Sequence, residues 1–109
     1  MPTEYKLDYR KEARISLAKI YGLHKRLVGP KSARKITDSI KGSLENLRTN
    51  PHMGMPCRIG RLATLGYRFL VCGKYLAFYR VIDKIIYVYH ILDGRTDYEK
   101  KLASLPSLP

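Results

Sequence analysis

The residues best suited to chemistry, or to binding a charged partner, cluster in the last third of the sequence. The stretch YLAFYRVI, residues 75–82, places Arg80 among aromatic and β-branched residues. If the turns on either side contain two residues each, Arg80 lies opposite Tyr67 on one neighbouring strand and Tyr87 on the other. An arginine among tyrosines suits stacking on nucleic-acid bases and contact with phosphates. The same pattern also occurs as a purely structural cation–π contact, so both interpretations stay open.

Other basic residues fall into two sets. One set lies beside or within the predicted sheet and in the loop that leads into it: Arg58, Arg61, Arg68 and Arg95. We interpret these four as candidates for binding a nucleic acid or another target. The second set falls in helical patterns: Arg14, Lys19, Arg34 and Lys41. Charges on helices commonly form a solvated face, so the second set carries no functional assignment.

Other kinds of site find little support in the sequence. His90 falls in a predicted strand, and we expect it to be buried and hydrogen-bonded, because no nearby Cys, Ser or carboxylate has the spacing of a catalytic triad. Cys57 and Cys72 have neither metal-ligand nor redox spacing, so we expect no metal site and no cofactor. The carboxylates are few and dispersed, which argues against a two-carboxylate hydrolase.

Length and charge set the broad class. A chain of 109 residues suits one domain, which we place at 1–109. The formal net charge of +12 predicts an electrostatic partner such as nucleic acid, a ribosome, an anionic membrane or an acidic protein. The N-terminus has no apolar core segment, and no run approaches the roughly 18 apolar residues of a membrane span. We therefore expect a cytoplasmic protein that does not associate with membranes.

The N-terminal half predicts a strand and two helices. Residues 5–9, YKLDY, alternate weakly and predict a short strand. Residues 11–27 follow a helical period. The predicted apolar stripe of this helix consists of Ala13, Leu17, Ile20, His24 and Leu27. Gly29 ends the first helix, Pro30 begins the second, and TNP at 49–51 stops it.

The C-terminal half predicts a sheet. Residues 52–66 form a loop in which glycines and a proline permit only short extended pieces. Strands at 67–72, 75–82 and 85–92 follow, with the two-residue turns Gly73-Lys74 and Asp83-Lys84 between them. Residues 96–102 predict a helical turn. The fold class is therefore α+β: a strand, an antiparallel helical hairpin over one sheet face, a three-stranded antiparallel meander and a short C-terminal helical turn.

Strand parity assigns residues to the two faces of this sheet. Arg80 shares its face with Tyr67 and Tyr87, whereas Arg68 and His90 belong to the other. Both faces are rich in apolar residues, so the helical hairpin must cover one of them. The Arg80 face is the more aromatic, and we interpret it as the candidate binding surface.

The segment GYRFLVCGKYLAFYRVIDKIIYVYHILDGRTDY, residues 66–98, resembles the C-terminal half of the RelE/ParE toxin superfamily. The preceding strand and helical hairpin fit the order of that fold, so the resemblance covers nearly the whole chain. It implies a growth-arresting toxin of a bacterial type II toxin–antitoxin module. It also implies a cognate antitoxin that wraps the toxin, and contact with operator DNA only through that antitoxin.

The resemblance implies two alternative targets. RelE-like members cut mRNA in the ribosomal A site, and ParE-like members poison DNA gyrase. By position, Arg68 and Arg95 match basic positions of the RelE branch, and Tyr98 matches its C-terminal aromatic. However, Leu70 and Leu76 stand where that branch has a lysine and a catalytic arginine, and leucine cannot stabilise the charge of a pentacovalent phosphate.

These leucines favour the ParE-like interpretation, a non-catalytic inhibitor of gyrase. The first alternative is a ribosome-dependent mRNA endoribonuclease. In that alternative the catalytic residues would be Arg68, Arg80, Arg95 and Tyr98. The residues expected to contact the target are Arg58, Arg61, Tyr67 and Tyr87. The second alternative is a binding module without toxicity.

Overall fold

The computed structural model describes residues 4–58, 60–97 and 100, and this part of the chain contains five strands and three α-helices. The strands are β1 (Lys6–Tyr9), β2 (Met55–Pro56), β3 (Arg68–Cys72), β4 (Tyr75–Ile82) and β5 (Ile85–Asp93). The helices are α1 (Lys11–Val28), α2 (Pro30–Glu45) and α3 (Gly60–Thr64), and the 3₁₀ turn Asn46–Arg48 follows α2. The predicted strand, helical hairpin and meander are confirmed. The predicted helical turn at 96–102 lies largely outside the described residues.

A single residue joins the two long helices. Gly29 has φ +92°, a backbone conformation that residues other than glycine rarely adopt. Its N–H donates to the carbonyl of Lys25 and so closes α1. Pro30 then begins α2, where the missing N–H is not needed for an intrahelical bond. The helices therefore pack as the predicted antiparallel hairpin. In the part of the chain that the structure describes, no helix is both long enough and apolar enough to cross a membrane.

The strands form one sheet in the order β1-β5-β4-β3-β2. β1 pairs in parallel with β5, and the other neighbours are antiparallel. The helical hairpin is thus the crossover that returns the chain from β1 to the meander. Both predicted turns contain two residues, and Asp83 and Lys84 have φ of 55° and 71°, as in a type I′ turn. The turns place Arg80 opposite Tyr87, which confirms the predicted register at that end of the sheet.

A β-bulge in β5 changes the register beyond this point. Tyr79 pairs with Val88 but Phe78 pairs with His90, so Tyr89 is an extra residue in β5. The prediction that His90 lies on the same face as Arg68 is therefore wrong. His90 faces the same side as its partner Phe78, and it is buried, at 8% exposure. Uniform alternation cannot anticipate an inserted residue, since every side chain beyond it moves to the opposite face.

The helical hairpin covers one face of the sheet. Ala13, Leu17 and Ile20 of α1 are buried as predicted. The strands contribute Leu70, Cys72, Tyr75, Ala77, Tyr79, Ile86, Val88 and Ile91 to this core. The stripe prediction fails at Leu27, which is 68% exposed in the last turn of α1. Helical period determines which residues share a face, but a sheet must stand opposite them to bury them.

The other face of the sheet has a second, smaller core. It consists of Cys57, Leu62, Tyr67, Phe78, Tyr89 and Leu92. Cys57 and Leu62 come from the segment predicted as a loop at 52–66, which contains the short strand β2 and the helix α3. β2 agrees with the expected short extended pieces, whereas α3 was not predicted. Five residues are too few for a helical period to be recognised in the sequence.

Candidate functional site

The sheet face away from the helical hairpin carries four alternating arginines and tyrosines. We call Tyr67, Arg80, Tyr87 and Arg10 the arginine–tyrosine row. The guanidinium carbon of Arg80 lies 5.4 Å from the centroid of the Tyr67 ring. That of Arg10 lies 5.5 Å from the Tyr87 ring centroid. β4 and β5 position Arg80 beside Tyr87, and the β1–β5 pairing brings Arg10 to the end of the row. The sequence predicted the first three residues together and missed Arg10, because its contact depends on the parallel strand.

Tyrosine rings continue beneath the row. The Tyr89 ring centroid lies 5.2 Å from that of Tyr67 and 6.4 Å from that of Tyr87. Tyr67 and Tyr89 are buried, whereas Tyr87 and Arg80 are half-buried. Arg10 and Arg80 therefore lie against a layer of tyrosine rings, and both remain accessible to solvent at least in part. Such a surface can bind an anionic or aromatic group, and a fixed guanidinium loses less entropy on binding than a mobile one.

Tyr67 does not have the properties of an acid–base catalyst. Burial is the main cause that raises the pKa of its phenol to about 12; nearby Tyr89 adds to the rise, whereas Arg80 and Arg61 oppose it. Its hydroxyl oxygen is buried and has no hydrogen-bond partner in the described part of the chain. A general base must be unprotonated before it can accept a proton, and a phenol with a pKa of about 12 stays protonated near pH 7. Tyr67 can therefore pack beneath Arg80 but cannot activate a hydroxyl at neutral pH.

Arg68 is engaged in holding a loop. Its Nη2 donates to the carbonyls of His52 and Gly54, at 2.9 Å and 2.6 Å. The Tyr79 hydroxyl donates to the carbonyl of Pro51 at 2.9 Å and accepts from the Gly54 N–H at 3.0 Å. A Cβ on Gly54 would lie 2.6 Å from the Tyr79 oxygen, so this close approach requires glycine. Arg68 pairs with Tyr79 across the sheet and so lies on the opposite face from Arg80.

Arg95 forms a local ion pair. Its Nε and Nη2 donate to the two carboxylate oxygens of Asp93, each at 3.1 Å, and its backbone N–H donates to Oδ1 at 2.9 Å. These bonds lower the pKa of Asp93 and raise that of Arg95. Asp93 pairs with Tyr75, at the opposite end of β4 from Arg80. Five residues of strand, or about 17 Å, separate those positions. Arg95 and Arg80 therefore do not form one cluster.

Three candidates remain, and Arg61 is the one that lies near the row. Arg61 is exposed on α3 and lies close enough to Tyr67 to lower its pKa. Arg58 is exposed in the loop before α3. Tyr98 lies outside the described residues. The structure thus brings Arg61, Arg80, Tyr67 and Tyr87 together, and it holds Arg68 and Arg95 elsewhere.

The two leucines that distinguish the branches occupy different faces. Leu76 lies on the face of Arg80, opposite Val71 and Leu92, and is half-buried. Leu70 packs in the core beneath the helical hairpin and is 9% exposed. A charge at Leu70 could not reach the arginine–tyrosine row without leaving that core. Of the two leucines, Leu76 is therefore the one whose lack of charge affects the face of Arg80. Among the described residues, no three His, Cys, Asp or Glu side chains are grouped as they would be around a metal ion.

Comparison with known sequences gives one family. A family model described as "ParE toxin of type II toxin-antitoxin system, parDE" matches residues 7–98. This segment runs from β1 past the end of β5 and includes the whole arginine–tyrosine row. No curated protein matches the sequence.

Comparison with solved structures gives the same fold. The structure titled "Chromosomal ParDE TA system from P. aeruginosa" is similar with a TM-score of 0.72 and 25% identity, over 84% of this chain and 97% of that chain. The toxin–antitoxin complex RelBE2 from Mycobacterium tuberculosis is similar with a TM-score of 0.58 and 20% identity, over 83% of this chain and 98% of that chain. The predicted α+β fold of the RelE/ParE type is confirmed.

Proposed function

This chain belongs to the ParE toxin family of type II toxin–antitoxin systems, and from that premise we propose that it arrests growth by inhibiting DNA gyrase without catalysing a reaction. The observation that carries the proposal is the chemistry around Arg80. Its ring partner Tyr67 has a pKa of about 12. The neutral side chain of Leu76 occupies the same face. These two residues suit a surface that binds a partner, and neither of them can take up a proton near pH 7.

RNA cleavage would need more than the described residues of this face supply. Attack of a 2′-hydroxyl on the adjacent phosphate requires a group that removes a proton near neutral pH. It also requires cations around the phosphate as charge develops, and each is typically worth a few kcal/mol of barrier. Arg68 donates to two backbone carbonyls on the opposite face, and Arg95 is paired with Asp93. Arg80 and Arg61 remain as cations beside Tyr67.

A ribosome-dependent endoribonuclease is the second candidate. Two observations favour it: the net charge of +12 and the approach of both Arg61 and Arg80 to Tyr67. In this alternative the two arginines would hold the cleaved phosphate and the substrate would supply the base. We rank it second because the face on which those arginines lie has the neutral Leu76 at the position where the RelE branch has a catalytic arginine.

We also propose that the toxin is held inactive by a cognate antitoxin with an acidic, amphipathic segment. A similar solved structure is a ParDE toxin–antitoxin system. The last two turns of α1 expose apolar side chains at Leu23, Leu27 and Val28, beside the cations of Lys25 and Arg26. Exposed apolar residues beside positive charge fit a helix or strand with an apolar face and acidic flanks.

Pulse labelling after induction of the toxin alone in a bacterial host tests the target. Thymidine and methionine incorporation are followed in parallel, and co-expression of the antitoxin provides the control. We expect thymidine incorporation to fall first, because a gyrase inhibitor stops DNA replication before protein synthesis. An early fall in methionine incorporation would instead indicate the ribosome. Undisturbed growth would indicate the second alternative, a binding module without toxicity.

A further inference from the structure

A groove opens between α1 and α2 on the helical side of the molecule, away from the arginine–tyrosine row. Its volume is about 590 Å³. Leu17, Ala18 and Tyr21 contribute to it from α1. Its cationic lining residues are Arg14, Arg34 and Lys41. The helical hairpin thus brings together three of the four basic residues that the sequence left without assignment, whereas Lys19 does not line the groove.

The helical hairpin carries an excess of positive charge. Residues 11–45 contain nine Lys or Arg and three Asp or Glu. All of these residues are described, and none of the nine cations forms an ion pair with a carboxylate in the described part of the chain; Arg14 donates instead to the backbone carbonyl of Tyr9. By contrast, three arginines outside this range, Arg10, Arg48 and Arg95, form ion pairs with carboxylates. The hairpin therefore presents cations with which an external polyanion can pair.

The cations of the groove are spread over two helices. Arg34 and Lys41 are seven residues apart on α2, which places them about 10.5 Å apart along the helix axis and on the same side of the helix. Two cations at this separation can contact different phosphates of one DNA strand. Arg14 extends the positive surface to the neighbouring helix. Asp38 is the one carboxylate in the groove, and the three cations outnumber it.

We propose that this groove binds the phosphate backbone of duplex DNA without reading its sequence. Phosphate contacts by Arg and Lys position a protein on DNA, whereas base recognition needs side chains that enter a groove of the duplex. The exposed apolar residues that suit an amphipathic antitoxin segment, Leu23, Leu27 and Val28, lie outside the groove's lining. The inference depends on the charge and shape of the hairpin and not on the identity of the growth target.

Fluorescence anisotropy with a labelled 20-base-pair DNA duplex of arbitrary sequence tests this proposal, with the full-length toxin in a series of potassium chloride concentrations. The groove variant is Arg34→Gln/Lys41→Gln. The matched control is Lys19→Gln/Arg26→Gln, which removes the same charge from the same hairpin at positions that do not line the groove. We expect the groove variant to bind at least ~10-fold more weakly at 100 mM salt, and its slope of log affinity against log salt to fall by about two. The control should keep the wild-type slope.

Two further measurements make the result decisive. Arg34→Lys should restore most of the affinity of Arg34→Gln, because a phosphate contact needs a cation and not a planar fork. Circular dichroism melting should show that all variants fold alike. Equal losses in both double variants would show only general attraction to a basic protein and would overturn the assignment of the groove. Absence of wild-type binding, or tighter binding of single-stranded RNA of equal length, would overturn it as well.

Discussion

At the scale of single residues, the same side-chain type serves different purposes according to its contacts. Arg68 holds the loop at 51–54 through two carbonyls, Arg95 neutralises Asp93, and Arg80 lies over an aromatic ring. Of these three arginines, Arg80 alone combines a partly open position with a place on the sheet face away from the helical hairpin. Arginine type and position in the sequence made all three equal candidates, and their hydrogen bonds separate them.

Tyr67 offers a direct test at this scale. Its folded pKa, raised from 10.0 to about 12, means that the unfolded chain loses the phenolic proton first as pH rises. The resulting contribution to stability is complete below pH 10 and is lost between pH 10 and 12, by an amount on the order of 2 kcal/mol. We therefore expect Tyr67→Phe to lose less stability over that interval than the wild type, as measured by urea denaturation at each pH.

The same substitution makes a second prediction near pH 7. The buried Tyr67 hydroxyl has no hydrogen-bond partner in the described residues, and burying such a group costs free energy. Phenylalanine keeps the ring beneath Arg80 and removes that cost. We expect Tyr67→Phe to be neutral or to stabilise the protein by about 1 kcal/mol. A loss of more than about 1 kcal/mol near pH 7, or an unchanged alkaline slope, would contradict this account of the site.

At the scale of elements, the two tight turns determine where the functional side chains lie. The turn at Asp83 and Lys84 fixes the pairing of Arg80 with Tyr87, and Gly73 with Lys74 fixes the pairing of β3 with β4. These turns were predictable because a two-residue spacing between β-rich runs is a strong local signal. The αα-hairpin was predictable for a similar reason, since Gly29 and Pro30 interrupt a clear helical period.

Other features of the elements were not predictable from sequence. The bulge at Tyr89 leaves no mark in residue type, because Tyr and His both fit a strand. α3 is too short to show a period, yet it supplies Leu62 to the second core and carries Arg61 towards Tyr67. The groove between α1 and α2 depends on how two helices face each other, which charge counting along either helix does not determine. Long-range packing therefore decides what local pattern leaves open.

Replacing lysine by glycine should have opposite effects on stability in the two β-turns. Asp83 and Lys84 both have positive φ, which costs an ordinary residue roughly 1–2 kcal/mol. We expect Asp83→Asn/Lys84→Gly to raise the free energy of unfolding by about 1 kcal/mol, since this pair favours a type I′ turn. Lys74 does not have a positive φ, so Lys74→Gly is the matched control. It should lower stability by roughly 0.5–1 kcal/mol. Urea denaturation measures both changes in the free energy of unfolding. Two changes of the same sign would contradict the turn assignment.

At the scale of the whole molecule, the sheet separates two basic surfaces. The arginine–tyrosine row lies on one face, and the groove lined by Arg14, Arg34 and Lys41 lies between the helices that cover the other. A target that consists of an enzyme bound to DNA presents both a protein surface and phosphates. The net charge of +12 accords with such a target, because it favours rapid encounter with a polyanion whatever the specific contact. We therefore propose that the arginine–tyrosine row recognises the protein target and that the hairpin retains the toxin on DNA.

The most direct test of the central claim is a supercoiling assay with purified gyrase, relaxed plasmid and the toxin, run beside an assay of mRNA cleavage on ribosomes. We expect the toxin to inhibit supercoiling and to leave the mRNA intact. Arg80→Ala should weaken the inhibition at least ~10-fold, because the row loses its central cation, whereas Arg95→Ala should change it little, since that cation is already paired with Asp93. Cleaved mRNA together with undisturbed supercoiling would contradict the account and assign the same face to a ribonuclease.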